Sequence, residues 1–119
     1  MRLDHVLICT RDLAAMERFF HEVLGLKPGR RPPFPFDGSW LYSDGSPLIH
    51  LAASSSHEDK GAVDHIAFTG DNYNHLIARL KQADRDYMER TVPDSGEHQV
   101  FVTGPEGISV EVQFPAGTV

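Results

Sequence analysis

The sequence predicts an α+β fold built from two repeated modules, each a strand, a helix and then further strands. Three observations carry that expectation. Leu3-Asp4-His5-Val6 recurs 60 residues on as Val63-Asp64-His65-Ile66, and Ile49-His50-Leu51 recurs 61 residues on as Val110-Glu111-Val112. Two segments carry apolar residues at helical spacing. Several short runs alternate apolar and polar residues, as half-buried strands do. Self-similarity at a fixed period constrains the whole fold and outranks any local motif.

Module one spans residues 1–54. Residues 3–10 alternate and read as a strand. A helix follows over 13–24, with Thr10 or Asp12 as N-cap and Gly25 as its C-terminal stop. Leu13, Met16, Phe19, Phe20, Val23 and Leu24 form its apolar face. Strands at 40–43 and 47–52 are joined by Asp44-Gly45-Ser46, and Asp-Gly is a strong hairpin signal. Between helix and hairpin lies Arg30-Arg31-Pro32-Pro33-Phe34-Pro35-Phe36. Its prolines prevent a regular ladder, so it is a rigid connector or one wall of a pocket. A polar linker, 55–62, leads to module two, 63–119. There a strand at 63–69 precedes a helix at 72–82, capped by Asp71 and striped by Tyr73, Leu76, Ile77 and Leu80. Strands at 98–103 and 108–114 follow, joined by Gly104-Pro105-Glu106-Gly107.

Composition excludes several classes of function. At 119 residues the chain suits one compact domain, and 40% hydrophobic with 24% charged residues is ordinary for a soluble globular protein. A net charge of −6 argues against nucleic acid, which needs clustered Lys and Arg. No apolar run reaches membrane-spanning length, and the first residues lack a signal peptide's apolar core. Cys9 is the single cysteine, so no intrachain disulfide forms and a reducing cytoplasm is expected.

Side chains alternate faces along a strand. His5, Leu7 and Cys9 share one face of the first strand and Val6 and Ile8 the other. His65 opposes Ile66 and Phe68, His50 opposes Ile49 and Leu51, and Glu111 opposes Val110 and Val112. In all four strands the ligand-type residue lies opposite large apolar residues that a helix would cover. A curved sheet with its helices outside would therefore gather His5, His50, His65 and Glu111 into one cavity. A lone strand histidine is ordinarily structural, and a lone Glu111 is half-exposed or paired with an arginine such as Arg79. The joint, repeat-related pattern is what favours a metal, because a carboxylate buried without a cation costs several kcal/mol. His21 and His75, on helices, are read as solvent-facing. His57 falls in the linker, and His98 opens a strand.

These residues resemble the vicinal oxygen chelate superfamily, which includes glyoxalase I, extradiol dioxygenases, methylmalonyl-CoA epimerase, and fosfomycin- and bleomycin-resistance proteins. The resemblance covers essentially the whole chain. Its marks are Leu3-Asp4-His5-Val6, Phe19-Phe20-His21-Glu22-Val23-Leu24-Gly25-Leu26, Ser39-Trp40-Leu41-Tyr42, Ile49-His50-Leu51 and Val63-Asp64-His65-Ile66-Ala67-Phe68. To these it adds Gln99-Val100-Phe101-Val102-Thr103-Gly104-Pro105-Glu106-Gly107 ahead of Val110-Glu111-Val112. It departs at Gly104, where the family usually has a turn-supporting Asp, so local loosening is expected there.

The resemblance implies two βαβββ modules forming an open, U-shaped mixed sheet around a divalent metal, with helices on the outer face. It maps a ligand triad onto His5, His65 and Glu111 and a variable fourth ligand onto His50. Glyoxalase-I-like members tend to carry Glu or Gln at that fourth place, where a carboxylate can act as base. His50 either ligates or stays free as a general base near neutral pH, and Glu111 shares the catalytic assignment. The donors suit Zn, Ni, Co, Mn or Fe(II). The metal would act as a Lewis acid on a substrate chelated through two adjacent oxygens. Arg30, Arg31, Trp40, Tyr42 and Gln99 are candidate pocket residues.

The leading expectation is a glyoxalase-like lyase or isomerase. Its alternatives are a ring-cleaving extradiol dioxygenase using Fe(II) and a metal-free ligand-binding protein of the bleomycin-resistance type. A thiol cosubstrate is compatible with the first, although no residue demands it. A homodimer is expected, with the ligand set drawn from one chain or shared across two.

Overall fold

The computed structural model describes residues 5–54, 63 and 65–119, so the expected linker and the first residues of strand one lie outside them. The chain divides into two compact units, residues 1–58 and 59–119. Each carries one helix and its own four-stranded mixed sheet, in the order expected of two βαβββ modules.

In unit 1, β1 (Val6–Thr10) leads into α1 (Leu13–Leu24), followed by β2 (Lys27–Pro28), β3 (Gly38–Ser43) and β4 (Ser46–Ala53), with sheet order β1-β4-β3-β2. The helix has the expected bounds because both ends are chemically marked. Asp12 accepts from the Ala15 N–H at 3.0 Å, and Thr10 supports the cap by accepting from the Asp12 N–H at 3.0 Å. At the other end Gly25 turns left-handed at φ 72°, and its N–H donates to the His21 carbonyl. Asp44 and Gly45 both take positive φ, 49° and 80°, which closes a two-residue hairpin whose twist matches the strands. Met16, Phe19, Phe20 and Val23 are buried beside Leu41, Ile49 and Leu51, as α1 packs on β3 and β4.

Unit 2 repeats the plan. β5 (Ile66–Thr69), α2 (Tyr73–Gln82), β6 (Met88–Thr91), β7 (His98–Thr103) and β8 (Ser109–Phe114) give the sheet order β5-β8-β7-β6. The cap is Asn72 and not Asp71, since Asn72 Oδ1 accepts from the His75 N–H at 3.1 Å. The turn at Gly104 is closed without the family's Asp. Gly104 N–H donates to the Ile108 carbonyl at 2.8 Å around a short 3₁₀ turn, Pro105–Gly107. Val100, Val102, Val110, Val112 and Phe114 are buried with Leu76 and Leu80. Tyr73 meets Phe114 edge-on at 5.7 Å.

The short strands β2 and β6 are absent from the sequence reading. β2 has two residues, one of them proline, and all four residues of β6 are exposed, so neither alternates. Among the described residues no helix is long and apolar enough to cross a membrane.

Phe20 is fully buried whereas Met88 is 73% exposed. Phe20→Ala is expected to cost about 3–5 kcal/mol of unfolding free energy by denaturant titration. Met88→Ala is expected to change it by less than about 0.5 kcal/mol.

Candidate functional site

The two sheets place their chemistry by the same register. β1 pairs with β4 in parallel, Leu7 opposite His50, and β5 pairs with β8 in parallel, Ala67 opposite Glu111. His5 and His65 each stand two residues earlier on the same face, diagonal to His50 and Glu111 respectively. On the other flank β3 sets Trp40 against His50, and β7 sets Phe101 against Glu111. Each unit thus brings together one diagonal pair of ligand-type residues with an aromatic ring beside it.

In unit 1 the pair is a ring stack. The His50 imidazole lies between His5, with centroids 3.9 Å apart, and Trp40, at 3.8 Å, and both neighbours are within 11° of parallel. A nitrogen lone pair lies in the plane of its ring. Two parallel, stacked imidazoles therefore aim their lone pairs along separate planes and do not converge on one ion. In this arrangement unit 1 offers a metal one imidazole, not two.

Unit 2 has a pair that does converge. Glu111 is buried, at 6% exposure, and its Oε1 lies 3.7 Å from His65 Nε2. Two donors on one first-row ion, each roughly 2.0–2.2 Å from it, stand roughly 3.0–3.4 Å apart, so a small adjustment would let both bind it. Among the described residues, no group of three or more His, Cys, Asp or Glu side chains is gathered closely enough to hold a metal by itself.

The candidate pocket residues have separable roles. Tyr42 donates to the Arg30 carbonyl at 2.5 Å, so Arg30 enters through its backbone while its side chain is exposed. A Cβ at Gly29 would fall 2.6 Å from the Tyr42 ring, which is why glycine stands there. Arg31 lies over the Phe34 and Phe36 rings, at 5.3 and 5.0 Å, and donates to the Phe36 carbonyl at 2.8 Å. These contacts order the proline-rich loop, and Phe34 reaches Trp40 at 6.5 Å. Gln99 is buried on the face that carries Glu111. It donates to Gln113 Oε1 at 3.1 Å and accepts from Arg90 Nε at 2.7 Å. Arg90 and Gln113 were not singled out from the sequence. Arg90 lies on β6, the strand that alternation did not reveal.

Of the other histidines, His21 and His98 make local structural contacts. His21 is exposed, as expected, but its Nδ1 lies 2.9 Å from the Leu26 carbonyl, just beyond the end of α1. His75 is exposed. His57 lies outside the described residues. His98 is on the opposite face from Glu111, where its Nε2 lies 2.9 Å from Glu89 Oε1 and its Nδ1 3.2 Å from the Thr91 hydroxyl. Tyr73 donates to the same Glu89 oxygen, which ties α2 to the edge strand β6. Those hydrogen bonds from His98 and Tyr73 hold the Glu89 carboxyl below its ordinary value, and the bond to Glu89 pushes the Tyr73 phenol up to about 12.

With this geometry in hand, the family is defined by sequence as well. The chain belongs to the glyoxalase/bleomycin resistance protein/dioxygenase superfamily, which it matches over residues 2–112. It is 30% identical over 120 residues to a protein named glyoxylase I 4 from Arabidopsis thaliana, covering 92% of this chain and 68% of that one. Among solved structures it resembles a glyoxylase/bleomycin resistance protein/dioxygenase domain from Frankia sp. EAN1pec. There the TM-score is 0.78 at 18% identity, covering 97% of this chain and 98% of the other. It also resembles a lactoylglutathione lyase from Agrobacterium tumefaciens, with a TM-score of 0.71 at 20% identity, covering 95% and 92%.

The Tyr73–Glu89–His98 cluster has a pH signature. Because the Glu89 carboxyl is lowered, its contribution to stability is complete above pH about 4.5 and is lost as pH falls through the depressed value. Because the Tyr73 phenol is raised, its contribution is complete below pH about 10 and is lost as pH rises towards 12. Glu89→Gln is expected to lower the melting temperature at pH 7 and to narrow that deficit at pH 3.5. A thermal melt series across pH checks it.

Proposed function

We propose that this protein is a metal-dependent enzyme acting on a small substrate that chelates through two adjacent oxygens. His5, His65 and Glu111 are its metal ligands, and His50 is held off the metal as a general base. The observation that carries this reading is the 3.7 Å approach of buried Glu111 to His65, a carboxylate placed where a cation would complete it. The stack of His5 on His50 supports three protein ligands over four. When bound, the ion supplies Lewis-acid stabilisation of negative charge developing on the substrate oxygens.

The chain's own residues do the rest. Trp40 and His5 clamp the His50 ring between them, fixing the direction of its nitrogens, and a general base needs that fixed aim to take a proton from a bound carbon acid. Glu111 and His65, already 3.7 Å apart, would hold the ion together from unit 2. Proton transfer of this kind is lyase or isomerase chemistry, in keeping with the relative named as a glyoxylase. A second reading has the same support from the stack: two histidines and one carboxylate form the facial set used by Fe(II) oxygenases, and ring cleavage would follow if iron is the native metal. In a metal-free binding protein, the third reading, Glu111 would be dispensable. We place the protein in the cytoplasm, consistent with its exposed free Cys9, and propose that it works as a homodimer.

Metal content by plasma mass spectrometry, on untagged protein never exposed to chelator, tests the assignment. Close to one equivalent of divalent metal per chain is expected. Glu111→Ala is expected to lose it and His50→Ala to keep it. Full occupancy in Glu111→Ala, or metal-free wild type that also refuses added metal, would remove the basis for the site.

A further inference from the structure

The face of unit 2 that carries Glu111 also carries a polar row that no part of the proposed chemistry uses. Arg90 on β6 stands opposite Gln99 on β7, and Gln99 stands opposite Gln113 on β8. Arg90 Nε donates to Gln99 Oε1 at 2.7 Å, and Gln99 Nε2 donates to Gln113 Oε1 at 3.1 Å. The guanidinium lies over the Phe101 ring at 5.3 Å, and Phe101 is the cross-strand partner of Glu111.

Two facts separate this row from a structural ladder. The first comes from the internal repeat. The positions equivalent to Gln99 and Gln113 are Gly38 and Ala52, paired in the same register in unit 1. The same sheet therefore forms with no polar side chain at either place. There the nearby arginine, Arg31, is engaged by the Phe36 carbonyl and by two rings. The second is how Arg90 uses its donors. Nε is tied to Gln99 and the flat face to Phe101, while among the described residues its two terminal amino groups have no acceptor. Nor is its charge spent on Glu111, whose carboxylate lies beside the His65 imidazole at 3.7 Å.

A guanidinium fixed at Nε presents its two Nη groups as a parallel fork, the geometry that matches a carboxylate bidentately. Anchoring to buried Gln99 has already removed much of the side chain's rotamer freedom, which lowers the entropic cost of binding. Phe101 and exposed Met88, its cross-strand partner, form an apolar floor beside the fork.

We propose that the row Arg90–Gln99–Gln113 is a carboxylate subsite. The substrate of the proposed active site is then an acid, with its carboxylate set apart from the chelating oxygens on an apolar or planar body. This rests on the metal-site reading for what the substrate undergoes, but the anion subsite is complete within unit 2 and is testable without metal.

The test is a titration of metal-free protein with benzoate, benzamide and inorganic phosphate. It follows the Arg90 Nε–H and the Gln99 and Gln113 side-chain amide resonances by nitrogen–proton NMR. Saturable shifts of all three groups with benzoate, and none with benzamide, are expected. Arg90→Gln should weaken benzoate roughly tenfold or more, and Arg90→Lys, which keeps the charge but loses the fork, should fall between. Because Arg90 is exposed on an edge strand, both variants should fold, and unchanged amide spectra elsewhere verify that. Benzoate that leaves the row unshifted, binds Arg90→Gln as well as wild type, or is matched by benzamide overturns the subsite. A response to phosphate alone overturns the carboxylate assignment. Since no metal is present, failure here leaves metal uptake standing, and failed metal uptake leaves this result standing.

Discussion

In both units the parallel pairing of the first strand with the last is the constraint on which the other features depend. A parallel pair cannot close through a tight turn, so the chain between β1 and β4, and between β5 and β8, must leave the sheet and return. The helix and the hairpin strands occupy that excursion. The pairing then decides which residues meet. With Leu7 opposite His50 and Ala67 opposite Glu111, a histidine two residues earlier falls diagonally beside a ligand-type residue from the far end of the module. A slip of one residue would turn His50 or Glu111 to the helix side and Ile49 or Val110 to the open face. Burying Phe19, Phe20, Leu41, Ile49 and Leu51 in unit 1 opposes that slip, so the hydrophobic core also fixes the register of the chemistry.

The two units use one register for different ends. In unit 1 the diagonal pair is stacked and aromatic, and Trp40 extends the stack. In unit 2 the pair is acid and imidazole, with Phe101 in Trp40's place. At register-equivalent positions the halves differ, His50 against Glu111 and Gly38 against Gln99. Unit 2 holds the carboxylate and the polar row, and unit 1 the clamped imidazole and an aromatic wall.

Much of this was legible in the sequence because strong local signals agreed with one another. Asp12 and Gly25 mark both ends of α1, Asp44-Gly45 sets its hairpin, and the repeat locates all four strands that carry ligand-type residues. The edge strands β2 and β6 were not legible. They bury nothing, and an edge strand held by hydrogen bonds to one neighbour needs no alternation. Arg90 was missed with β6. Alternation put His5 and His50 on one face, yet it says nothing of how two rings on that face orient, so the stack appears only in three dimensions. Asn72 took the cap from Asp71 for a similar reason: both side chains can cap, and the backbone decides which one points back at the helix.

The most direct measurement is the number of imidazoles bound to one ion. Cobalt(II)-substituted protein can be read by proton NMR, in which each coordinated histidine contributes a strongly shifted, exchangeable ring N–H resonance. Two such resonances, both retained in His50→Ala, are the predicted result. Three resonances in wild type, with one lost in His50→Ala, would make His50 a ligand and contradict the account, as would the absence of any shifted imidazole resonance.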